Sequence, residues 1–73
     1  MDEIDFQLRG DHIPLDALLK ATGLADSGGQ ARALIVDGQV RVDGQTELRK
    51  TRKLRAGQQV SLGDVRVSVR GEA

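Results

Sequence analysis

The sequence predicts an α+β fold in which two short helices pack on a small, mostly antiparallel sheet. Three observations carry that expectation. Apolar residues recur at helical spacing twice between residues 14 and 37, each time closed by a glycine. On both sides of that region the apolar period is two, as a half-buried strand requires. Glycine-containing turn signals separate the alternating segments. Seventy-three residues make one domain, residues 1–73, with a core that buries roughly 60% of the unfolded chain's surface.

The elements follow in order. Ile4, Phe6 and Leu8 alternate with polar residues and predict a first strand. Pro14 suits a first helical position, where its missing N–H is no loss. Leu15, Leu18, Leu19 and Thr22 then share one helical face, and Gly23 supplies the stop. Asp16 and Lys20, four apart, read as an ordinary surface pair. Ser27 and Gln30 form a Ser-x-x-Gln capping box at the second helix, which Ala31, Leu34 and Ile35 continue and Gly38 closes. Val40 and Val42 point one way and Arg41 the other, before the Asp43-Gly44 tight turn. Leu48 and Leu54 are the expected anchors of the basic segment 49–55, RKTRKLR. Val60 and Leu62, then Val65, Val67 and Val69, form two strands around Gly63-Asp64, and the tail 71–73 is expected to fray.

Composition disfavours catalysis. No cysteine is present, and His12 is the lone histidine, so neither a thiolate metal site nor a His/Cys nucleophile pair can be assembled. The segment SGGQAR lacks the Lys-Ser/Thr of a phosphate-binding loop. The chain is read as not an enzyme, without cofactor or metal. No apolar run approaches the roughly 20 residues of a membrane span. The acidic, charge-broken start and the absence of cysteine fit a soluble cytoplasmic domain, expected to be a monomer.

The neutral total charge hides an asymmetry. Residues 1–37 carry seven acids and three bases, net −4, whereas residues 38–73 carry eight bases and four acids, net +4. Five of the seven residues from 49 to 55 are basic, the footprint of a phosphate-backbone contact or, equally, of a solvated edge. The helix start tips the balance. Gly28 lies one turn from Arg32 and leaves first-turn N–H groups uncovered, where an anion is favoured. Two other readings stand beside this one: a tolerated glycine costing up to about 1 kcal/mol, and close packing of the first helix against the bare backbone. Phe6 is the single aromatic and belongs to the core, so base stacking on exposed rings is excluded.

The stretches PLDALLKATGLADSGGQARALIVDGQVRVDG and RKTRKLRAGQQVSL carry a family resemblance. Over residues 13–63 the chain resembles the RNA-binding domain named after ribosomal protein S four, the alpha-L RNA-binding motif, and most of all its stand-alone bacterial YbcJ-like subfamily. The resemblance implies non-catalytic binding of structured RNA, ribosomal RNA or ribosomal particles foremost, through the second helix and the adjoining basic loops. By position it implicates Ser27, Gly28, Gln30, Arg32 and Arg41, flanked by Lys20, Arg49, Lys50, Arg52, Lys53 and Arg55. Pro14 and Gly28 stand where the wider family often carries arginine, so two of its phosphate contacts are missing. The alternative is a protein-interaction module whose basic face docks an acidic partner.

Overall fold

The computed structural model describes residues 2–71. Of the expected frayed tail, Glu72 and Ala73 lie outside the described residues, and the Gly71 carbonyl accepts a hydrogen bond from the Gln7 side chain. The order is β1 (Asp2–Gln7), β2 (Ile13–Pro14), α1 (Leu15–Ala21), α2 (Gly28–Val36), β3 (Val40–Val42), β4 (Gln45–Thr46), β5 (Lys53–Leu54), β6 (Gln59–Leu62) and β7 (Val65–Arg70).

Five strands form one sheet in the order β1-β7-β6-β3-β4, antiparallel except for the parallel β1–β7 pair that joins the two ends of the chain. The register explains the period-two pattern. Val42 stands opposite Val60, Val60 opposite Val67 and Val67 opposite Ile4, an apolar row across four strands. The next row, Arg41, Ser61, Arg66 and Glu3, is polar and belongs to the other face. The apolar face packs with Leu15, Leu18 and Leu19 of α1 and Ala31 and Ile35 of α2 into one core, against which Phe6 lies half-buried. Asp43 and Gly44 both have positive φ, 51° and 86°, as a type I′ hairpin turn requires between β3 and β4.

Two helix ends depart from expectation. Pro14 is not the first helical residue: its backbone is extended (φ −64°, ψ 146°) and pairs with Lys53, while Leu15 opens α1. The Ser27 hydroxyl accepts from the Gln30 N–H at 3.1 Å, as a capping box predicts. The Gln30 side chain overshoots Ser27 and accepts instead from the Asp26 N–H at 2.6 Å. At the other end of α2, Gly38 N–H donates to Ile35 at 3.0 Å and Gln39 N–H to Leu34 at 3.2 Å, the paired bonds of a Schellman motif.

A β-carbon added at Gly29 would meet within 4 Å only the Ser27 hydroxyl, at 3.8 Å. Gly29→Ala should therefore raise stability by about 0.4–1 kcal/mol by restricting the unfolded chain. Urea unfolding measures this, and a loss of stability would mean that the backbone there is needed bare.

Candidate nucleic-acid interface

The segment 49–55 is fastened to the start of α1. The first helical N–H groups have no partner within the helix. Here Leu15 N–H donates to the Arg52 carbonyl at 2.9 Å and Asp16 N–H to the Lys50 carbonyl at 3.0 Å. The two-stranded sheet β2–β5 adds Ile13 opposite Leu54. Leu54 is fully buried and anchors the loop, but Leu48 is 58% exposed, which corrects its expected anchoring role.

The residue that takes Leu48's place is Glu47, missed from the sequence. Its N–H donates to the Val40 carbonyl at 3.0 Å, extending the β3–β4 ladder by one residue. Counting in twos from Gln45 puts it on the core side, an acid at an inward position two residues before one arginine and five before another. That spacing was the available signal.

Glu47 is the one buried charged residue among those described. Arg49 donates to it from Nε at 3.1 Å, from a terminal nitrogen at 3.3 Å and from its backbone N–H at 3.0 Å. Arg52 adds a bond of 2.7 Å. The Arg49 side-chain bonds hold the Glu47 carboxyl well below its ordinary 4.5, at about 2, against burial, which pushes it up. The Arg49 N–H and Arg52 lower it further. Because the folded value is depressed, the ionised group contributes stability above about pH 4.5, and that contribution is lost as pH falls toward 2. The stability difference between the native chain and Glu47→Gln should thus be constant near neutral pH and shrink below pH 4.5. Urea melts across that range test it, and a difference independent of pH would contradict it.

At the start of α2 the three atoms nearest a β-carbon built on Gly28 all belong to the Arg32 guanidinium, the closest at 3.2 Å. Gly28 thus makes room for Arg32 to lie along the helix start and reach Asp16 on α1, at 3.6 Å. Asp16 therefore pairs with Arg32, not with Lys20 as expected. Asp16 also links the two halves of the site, since its own N–H holds the Lys50 carbonyl.

The expected residues divide accordingly. Gly28, Arg32 and the loop 49–52 converge at the start of α1, and Ser27 and Gln30 shape the helix that carries Arg32. A recess is lined by Arg49, Thr51, Arg52 and Lys53. Lys20 is exposed in the last turn of α1. Arg41 lies apart, on the face of the sheet opposite the core, and Arg55 uses its backbone N–H to bind the Gln58 side chain at 2.8 Å. Lys20, Arg41, Lys50, Lys53 and Arg55 make no side-chain ion pair among the described residues, whereas Arg32, Arg49 and Arg52 each do. The arrangement offers free ammonium groups beside guanidinium forks already oriented by carboxylates, a surface suited to oxyanions.

Comparison with known proteins identifies the family and the fold. Residues 6–70 match the model of the S4 domain family. YbcJ of Escherichia coli (strain K12) is 48% identical over 58 residues, which cover 80% of this chain and 83% of that protein. YbcJ of Shigella flexneri matches to the same extent. The solution structure of Escherichia coli YbcJ, described as revealing an alpha-L motif involved in RNA binding, superposes with a TM-score of 0.68 at 41% identity, over 96% of this chain and 87% of that one. The chain belongs to the S4 domain family and has the alpha-L fold.

Proposed function

We propose that the chain is a non-catalytic RNA-binding protein that recognises structured RNA through phosphate and shape contacts, with ribosomal RNA or its precursor as the favoured ligand. One observation carries the reading: a cation-rich loop is bonded to the start of α1, where Arg32 of α2 also arrives through Asp16. Held cations at fixed spacing suit a phosphate backbone of defined shape. The family membership and the RNA-binding motif described for the solved relative support the same ligand class. Phe6, the single aromatic, is packed against the core, so recognition relies on charge and hydrogen bonding and not on stacking. The protein acts in this reading as a cytoplasmic monomer.

Lys50, Lys53, Arg49, Arg52 and Arg32 are the phosphate contacts at the centre of the surface, with Lys20, Arg41 and Arg55 at its margins. Crosslinking in cells followed by sequencing of the bound RNA tests the reading. Enrichment of ribosomal fragments is the expected result. Recovery of an acidic protein with no RNA would favour the docking-module alternative.

A further inference from the structure

A carboxylate at the heart of a phosphate-binding surface works against raw affinity, because each acid cancels one cation of the field. Burying it also costs free energy unless it is paired. Glu47 nevertheless occupies that place, and its backbone is fixed to the sheet through the Val40 carbonyl. Its two oxygens then take separate tasks. One accepts from the Arg49 Nε and backbone N–H, and the other from Arg52 and a terminal nitrogen of Arg49.

The result is unusual for a surface arginine. The Arg49 side chain is 73% exposed, yet it is pinned at three donors counting its backbone. A free arginine gives up rotamer entropy when it is immobilised by a ligand. Arg49 and Arg52 have surrendered much of that freedom before any ligand arrives, and each guanidinium keeps further N–H groups beyond those Glu47 uses. Such forks match phosphates held at fixed spacing better than phosphates on a flexible strand.

Resting on the RNA-binding reading above, we infer that Glu47 is a positioning residue that sets ligand selectivity. By anchoring the guanidinium groups of Arg49 and Arg52 to the sheet, it makes the basic loop prefer the ordered phosphates of folded RNA over a disordered polyanion of equal charge. It acts through the arginines and need not touch the ligand itself.

Two variants test this against three probes: fragmented ribosomal RNA, poly(U) and heparin. Glu47→Gln keeps the shape of the side chain, removes its charge and loosens both arginines. Its affinity for poly(U) and heparin should hold or rise by up to about threefold, while affinity for the folded fragments falls about tenfold. Arg49→Lys changes an exposed residue, conserves net charge and removes the fork. It should leave poly(U) and heparin within about twofold and weaken the folded fragments several-fold, about five. Circular dichroism and melting temperature establish that each variant is folded, and Arg49→Lys carries the test if Glu47→Gln is not. Equal fold-changes for folded and disordered probes would overturn the inference and leave the RNA-binding reading intact. Failure of the native chain to bind either RNA would overturn both.

Discussion

Leu54→Ala is expected to destabilise the domain by about 2–5 kcal/mol, the range for a buried leucine replaced by alanine. A chain of this length has only roughly 4–11 kcal/mol in total, at 0.05–0.15 kcal/mol per residue. The substitution therefore consumes a large share of the stability. Leu54 is fully buried, belongs to the same core as the leucines of α1 and pairs across β2–β5 with Ile13. Its loss also undermines the loop, since the carbonyls of Lys50 and Arg52 just before it hold the first N–H groups of α1. Urea unfolding should register the loss, and hydrogen exchange should show residues 49–55 opening first. Leu48→Ala is the matched control. Leu48 is 58% exposed, so its removal should change stability by less than about 0.5 kcal/mol. Equal effects at the two leucines would contradict the burial of Leu54 and the exposure of Leu48.

That contrast marks what could be read from the chain alone. Local chemistry was legible: the alternation of Val40 and Val42, the Asp43-Gly44 turn and the leucine stripe of α1 each depend on neighbours within a few residues. Leu48 and Leu54 look alike in sequence, because both are leucines at the margins of one basic run. Only the pairing of Leu54 with Ile13, 41 positions away by subtraction, separates them. The parallel β1–β7 pair is likewise a contact between the chain ends that no local pattern announces. At the site, the closeness of Gly28 and Arg32 followed from helical spacing, but the destination of Arg32 did not. Asp16 lay four residues from Lys20 and sixteen from Arg32, and the tertiary packing of α1 on α2 chose the second. Of the readings of Gly28, close packing of α1 is the one the structure counts against: the three atoms nearest a β-carbon there belong to Arg32 and not to α1.

The largest effect on binding should come from Lys50→Glu together with Lys53→Glu. Both lysines are exposed, and neither makes a side-chain ion pair among the described residues. Reversing them changes the surface field by four charges while the Glu47 network and the backbone bonds of the loop stay in place. Arg52 is a poor choice for the same experiment. Its guanidinium lies 2.7 Å from Glu47, and a glutamate there would set two carboxylates against each other and disturb folding. The double lysine variant should melt within a few degrees of the native chain and lose at least about tenfold in RNA affinity near physiological salt. An acidic protein partner would also be repelled by this variant, so the loss must be read with the nucleic acid as ligand.

A salt titration tests most directly whether the loop at the start of α1 neutralises RNA phosphates. Affinity for fragmented ribosomal RNA is measured for the native chain and for the double lysine variant across a range of salt. Each phosphate contact contributes a log-log slope of roughly −0.7 to −0.9, so the native slope should be steep and the variant's shallower by about 1.4 to 1.8. Identical slopes in the two proteins would contradict the assignment of the loop as the RNA-facing surface.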